Sequence, residues 1–267
     1  MGSAFKPVVY TTALDHGMTP LTLFLDQPVS YPTGPNQPPY EPLNYDRKFE
    51  GPVTLRRALE QSRNIPAVKA MLDAGPANVL DYAKRFGFSF ADSMQPYLSL
   101  ALGAAEATLM ELTSSYSVFP NQGVRMTPYF VGTVIDRDGT LLEEHRATPH
   151  DTISAGTAYV MTNLLRGVVE RGTGAAAAQL NWPLAGKTGT MDEYTDAWFV
   201  GFDPDTTIGV WIGHDEKKPL GRNETGAAAA LPIWMDFMAV VIDHRRDRSN
   251  PPSFPVPAGV EFALLPT

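Results

Sequence analysis

The chain has 267 residues, 43% of them hydrophobic and 19% charged, with a net charge of −8. That is enough to bury a substantial core in one large domain or two small ones, and the acidic balance argues against nucleic-acid binding, which rests on basic surface. With no cysteine, disulfides, thiol catalysis and thiolate metal sites are excluded, and no pair among the five histidines has the i, i+4 spacing of a helical zinc site, so no metal or cofactor is expected.

Residues 3–16 read as a helix. Phe5, Val8, Val9, Ala13 and Leu14 roughly follow a 3.6 period, Pro7 falls in or next to the first turn, and Gly17 stands where a C′ glycine belongs. Residues 28–52 hold seven prolines among Tyr, Asn and Gly and read as an ordered loop, too aromatic for a linker. Thr54 is the expected N-cap of a helix through Leu55, Ala58 and Leu59, and Pro66 opens the next over 67–73. Helical patterns follow at 76–86, 106–119 and 154–170.

After Gly172-Thr173-Gly174 the period changes. Residues 183–190, 195–202 and 206–213 read as three consecutive strands, with Asp203-Pro204-Asp205 turning between the last two. Residues 228–244 close the pattern as a helix with the apolar stripe Ile233, Trp234, Phe237, Met238, Val241 and Ile242. The basic cluster at 244–248 reads as a solvated helix end. A Pro-rich extended tail, 250–267, follows a single domain over 1–249. No apolar run is long enough to cross a bilayer, and no basic-then-apolar leader opens the chain, which alone reads as cytosolic. The layout is α+β, a helical region followed by an antiparallel meander capped by a helix.

Three short words carry chemistry. Ser3 and Lys6 stand three apart on a helix and share a face. A serine hydroxyl needs a base, and lysine serves only when burial or a second cation lowers its pKa; Lys187 is a candidate for that cation. Ser62 and Asn64 are two apart, so both can face one way from an extended or tight-turn segment, a hydroxyl to relay a proton and an amide to hold a carbonyl. Lys187-Thr188-Gly189-Thr190 falls on an expected strand. Alternation puts Lys187 and Gly189 on one face and Thr188 and Thr190 on the other, Gly189 permits close backbone approach, and threonine hydroxyls beside a lysine suit a carboxylate. A phosphate loop is excluded there, because position 181 is Asn where its first glycine belongs.

In this order the words resemble the transpeptidase domain of class A, bifunctional penicillin-binding proteins. Gly2-Ser3-Ala4-Phe5-Lys6-Pro7, the stretch from Leu59 to Val68, and Ala185 to Thr190 followed by Asp196-Ala197-Trp198-Phe199-Val200-Gly201 carry the resemblance. Echoes run through Arg171-Gly172-Thr173-Gly174 and Glu224-Thr225-Gly226. The resemblance implies a penicillin-binding-protein/β-lactamase-like fold whose N-terminal part is incomplete. Its sheet would be reduced to three strands, with 206–213 an unpaired edge.

It also implies a serine D,D-transpeptidase that cross-links peptidoglycan stem peptides ending in D-Ala-D-Ala and binds β-lactams. Ser3 would be acylated, with Lys6 as proton acceptor. Ser62 would shuttle the proton, Asn64 would hold Lys6 and the substrate amide, and Lys187 would supply positive potential. Thr188, Gly189 and Thr190 would bind substrate, and the N–H groups of Ser3 and Thr190 would form the oxyanion hole. A glycosyltransferase domain and membrane anchor would lie upstream, placing the full-length protein at the periplasmic face of the bacterial inner membrane.

The alternatives are a D,D-carboxypeptidase, which the motifs do not separate, and a non-catalytic penicillin- or peptidoglycan-binding fragment. A class A β-lactamase would need a deacylating loop glutamate. The candidate, Glu106, precedes a helical pattern and reads as helix-capping or solvated.

Overall fold

The computed structural model describes residues 1–245 and 249–263. The chain enters through a 3₁₀ turn, Gly2–Phe5, that runs straight into α1, Lys6–Asp15. Every residue of α1 from Lys6 to Ala13 is buried, so this is a central helix covered on all sides rather than one with a single apolar stripe. It ends as Gly17 foretells: the N–H groups of Gly17 and Met18 bond back to the carbonyls of Leu14 and Ala13.

Strand β1, Leu23–Asp26, pairs antiparallel with β2, Gly51–Thr54. The Pro-rich loop between them is ordered and pinned by a Tyr31–Tyr40 bridge. Thr54 caps α2, Leu55–Glu60, through the Arg57 N–H at 3.2 Å. Helix α3 covers Asn64–Ala74 and α4 Pro76–Arg85. The start of α3 is earlier than expected. Pro66 lies within its first turn, where N–H groups have no intrahelical partner to lose.

Helix α5, Leu109–Ser117, is shorter than the expected 106–119. A reciprocal box between Thr108 and Glu111 fixes its start. The next segment builds four short strands that the sequence pattern did not show: β3, Val124–Met126; β4, Thr133–Ile135; β5, Leu141–Glu144; and β6, Pro149–Asp151. Strands β4 and β5 form a hairpin, and β3 pairs with β6. Helix α6 then runs over Ala155–Arg171 behind the N-cap Ser154.

The meander is β7, Ala185–Thr190; β8, Asp196–Phe202; and β9, Thr207–Gly213. The sheet order is β7-β8-β9, so β9 is an edge strand as expected and β7 the other. A one-turn π-helical step, Gly226–Ala230, leads into α7, Leu231–Asp243.

Alternation along β8 sorts the layers. Trp198, Val200 and Phe202 join the core around α1, α3 and α6, while Ala197 and Phe199 join a second cluster with Leu231, Trp234, Met238 and Ile242 of α7. Trp234 meets Phe199 edge to face at 5.0 Å and donates to the Ile208 carbonyl at 3.0 Å. Contrary to the expectation that no apolar run is long enough, residues Gly226–Asp243 reach the length and mean hydropathy (1.5) of a membrane-crossing helix; here α7 packs its buried face on the sheet. Of the basic cluster, Arg245 is only partly exposed and turns back onto Asp203, at 2.8 Å, and Asp205. Residues 246–248 lie outside the described residues. Residues 250–263 have no helix or strand, yet Phe254 is buried against Phe202.

Candidate active site

Three elements bring the three words together. Lys6, at the first turn of α1, and Lys187, on β7, are both fully buried, and both reach the segment between α2 and α3. The Ser62 hydroxyl lies between them, 3.4 Å from Lys6 Nζ and 2.8 Å from Lys187 Nζ. Lys6 also donates to the Ser62 carbonyl at 2.6 Å, the Arg63 carbonyl at 3.1 Å and Asn64 Oδ1 at 2.7 Å. Neither lysine has a carboxylate partner among the described residues. Burial pulls the Lys6 ammonium well below the usual lysine range, and the neighbouring Lys187 and Arg63 charges push it further down. Burial alone brings Lys187 to about 7.

Ser62 is placed by backbone strain. Its φ is +55°, in the left-handed region that L-residues with a Cβ avoid. It occupies the C′ position of α2, with its own N–H on the Leu59 carbonyl and that of Arg63 on the Ala58 carbonyl, a closing turn that usually takes glycine. Serine is tolerated because both flanking bonds, and Lys6 on its carbonyl, over-determine the turn. Ser62→Gly is therefore expected to be more stable than Ser62→Ala by about 1 kcal/mol, although both lose the hydroxyl. Urea unfolding of the two variants checks this, and equal midpoints would remove the strain argument.

Strand β7 offers its outer edge to the site. Met191 N–H donates to the Asp196 carbonyl, so its neighbour Thr190, opposite Ala197, stands in a non-hydrogen-bonded pair and turns its N–H away from β8. The Thr188 hydroxyl bonds that of Thr173 at 2.7 Å, and the Thr190 hydroxyl accepts from the Gly226 N–H at 3.0 Å.

The turn carrying Ser3 lies directly on this edge. A Cβ at Gly189 would come within 2.5 Å of the Met1 carbonyl oxygen, and one at Gly2, whose φ is +59°, within 2.3 Å of the Thr190 carbonyl oxygen. Glycine at both positions is what lets the 3₁₀ turn touch β7. Gly2→Ala is expected to cost about 3 kcal/mol, from overpacking plus the left-handed backbone. A thermal midpoint unchanged from the parent would show that the turn can move away freely.

Ser3 is half-buried in this turn, and its hydroxyl makes no hydrogen bond among the described residues. No hydrogen bond joins Ser3 to Lys6 among the described residues. Three acceptors within 3.1 Å of Lys6 Nζ occupy all three N–H bonds of an ammonium, and loss of one proton frees a lone pair. The Ser3 N–H lies at the start of its helix, where no earlier carbonyl is available to it.

Glu106 is exposed, and Thr108 is the cap of α5. The sequence pattern did not mark Leu43, whose carbonyl accepts from Asn64 Nδ2 at 2.7 Å, and it marked Thr173, whose hydroxyl meets that of Thr188, only as part of the Arg171–Gly174 echo. It also missed Tyr45, whose hydroxyl bonds that of Tyr194 at 2.7 Å and so links the Pro-rich loop to the turn after β7.

The family described as penicillin binding protein transpeptidase domain matches residues 1–239. Penicillin-binding protein 1A of Aquifex aeolicus is 42% identical over 240 residues, 90% of this chain and 33% of its own length. That of Rickettsia bellii is 36% identical over 288 residues, 99% of this chain and 36% of its own length. The chain therefore spans about a third of these relatives. The crystal structure of penicillin-binding protein 1A from Haemophilus influenzae superposes with a TM-score of 0.86 at 29% identity, over 94% of this chain and 43% of that one. The D,D-transpeptidase domain of a peptidoglycan glycosyltransferase from Eggerthella lenta gives 0.75 at 27% identity, over 91% and 65%. With that match along most of its length, and the α+β architecture of its structural neighbours, this chain belongs to the penicillin-binding protein transpeptidase family.

Proposed function

We propose that the chain is a serine D,D-transpeptidase domain that cross-links peptidoglycan stem peptides through an acyl-enzyme on Ser3, and that β-lactams acylate the same serine. The observation that carries this reading is the Ser62 hydroxyl between two buried lysines that have no carboxylate partner among the described residues. A buried, uncompensated amine is what base catalysis by lysine requires near neutral pH.

Neutral Lys6 takes the Ser3 proton as Ser3 Oγ bonds to the penultimate D-Ala carbonyl carbon. The oxyanion that forms is held by the N–H groups of Ser3 and Thr190. As the C–N bond breaks, the proton passes from Lys6 through Ser62 to the departing D-alanine amine. The amine of a second stem peptide then attacks the ester, and Ser3 recovers its proton by the same route. Asn64 fixes Lys6 and receives the substrate amide. Lys187 orients Ser62, and Thr188 and Thr190, flanking Gly189, bind the terminal carboxylate.

The limited share of each relative that this chain covers supports a larger protein; on this reading it would carry a glycosyltransferase domain and a membrane anchor and hold this domain at the periplasmic face of the inner membrane. Incubation with benzylpenicillin followed by peptide mapping tests the reading. A single adduct on the peptide containing Ser3 is expected. No adduct, or one on another serine, would overturn it.

A further inference from the structure

We propose that Asn44, held by Asp26, is a positioning residue for acyl transfer: it caps α3 from the Pro-rich loop and thereby sets Ser62, Arg63 and Asn64 against Lys6. The inference rests on the acyl-transfer reading above.

Helix α3 lacks a cap of its own, since Arg63 stands at the N-cap position and makes no capping bond. Its first two amides are satisfied from twenty residues away: Asn44 Oδ1 accepts from the N–H of Asn64 at 2.8 Å and of Ile65 at 3.3 Å. The other end of the same amide is fixed too, because Asn44 Nδ2 donates to Asp26 Oδ1 at 2.7 Å and to the Lys48 carbonyl at 2.9 Å. Two acceptors on one side and two donors on the other leave the amide a single orientation.

Asp26 ties this cap to the motif a second time. Its Oδ2 accepts from Arg63 Nε at 3.0 Å and from the Glu50 N–H at 3.1 Å, and the Arg63 Nη2 atom lies 2.9 Å from it in the same ion pair. Arg63 is completed by Asp46 at 2.9 Å and by the Lys48 carbonyl. Asp26, Asn44 and Arg63 are 0%, 2% and 6% exposed, and a buried polar network with every member partnered holds one geometry.

The consequence for the site is direct. All the short hydrogen bonds of Lys6 Nζ go to residues 62–64. A few tenths of an ångström at the start of α3 would move every one of them, together with the Ser62 hydroxyl. A local Ser or Asp at position 63 would cap α3 equally well. The position is given instead to a guanidinium that helps depress the proton affinity of Lys6, so the cap has to come from elsewhere.

The test separates the noncovalent binding constant from the acylation rate constant, using a fluorescent penicillin and the 267-residue chain. Asn44→Ala is expected to lower the acylation rate constant about 30-fold, with binding changed by less than about threefold. Amide exchange at Asn64 and Ile65 should be faster by tenfold or more, on the order expected for loss of their acceptor. Ile242→Val, in α7 away from the site, is the control for destabilisation. Asn44→Ser, which keeps a short acceptor, serves if the alanine variant does not fold, and is expected to be about 10-fold slow. Acylation no slower than in the Ile242→Val control would overturn the positioning role and leave acyl transfer standing. A parent chain that is never labelled would overturn both.

Discussion

Lys6→Ala is expected to lower the rate of acylation by a β-lactam about a thousandfold at neutral pH, in the range that a positioned general base contributes. The substitution also strips the Ser62 and Arg63 carbonyls and Asn64 Oδ1 of their common donor, at about 1–3 kcal/mol for a buried unsatisfied group. Loss of rate and loss of structure therefore have to be separated. Lys6→Arg does so: a guanidinium can still donate to those acceptors but does not give up its proton near neutral pH. Lys6→Arg is expected to be folded and as slow as Lys6→Ala. Labelling by fluorescent penicillin, read beside far-UV circular dichroism, decides the matter. An arginine variant acylated within tenfold of the parent would mean that Lys6 acts as an electrostatic donor rather than as the base.

The parts of the fold legible in sequence are those where one pattern dominates. Strands β8 and β9 are dense in Trp, Val, Ile and Phe around an Asp-Pro-Asp turn, and Asp203 closes that turn by accepting from the N–H groups of Asp205 and Thr206. Strands β3 to β6 have only three or four residues each and no fully buried side chain, so no alternation marks them. Strand β1 does alternate in burial, but its exposed positions are Leu23 and Leu25 and one buried position is Asp26, so hydrophobicity hides the pattern.

The candidate site divides in the same way. The groups proposed to react there stand in short local words. Its geometry is set by residues whose role exists only in three dimensions. Ser62 holds a backbone position that local rules give to glycine. Asn44 caps a helix that begins twenty residues later. Thr173 reaches Thr188 from the end of α6. Ser3 and Lys6, which share a helix face, are not joined by a hydrogen bond among the described residues. The lysine turns its donors to the Ser62 and Arg63 carbonyls and Asn64 Oδ1 instead.

Lys187→Met is expected to change the slope of stability against pH. Burial pulls Lys187 to about 7 in the fold, against 10.5 for a solvated lysine. Between those values the unfolded chain holds the extra proton, so the parent gains stability as pH rises, at up to about 1.4 kcal/mol per pH unit. Below about 7 both states are protonated, and the native state carries the full cost of a buried cation. Methionine fills similar space without a proton. Measured by urea unfolding across mildly alkaline pH, the parent should therefore climb relative to the variant. Parallel curves would contradict the depressed proton affinity. Activity should respond in the opposite sense along the pH axis. Lys187 is one of the charges that depress Lys6, so its removal lets Lys6 keep its proton to higher pH and moves the acidic limb of the acylation profile upward. A limb that stays in place would leave burial as the cause that governs Lys6, with Lys187 acting on catalysis only through its 2.8 Å hydrogen bond to Ser62.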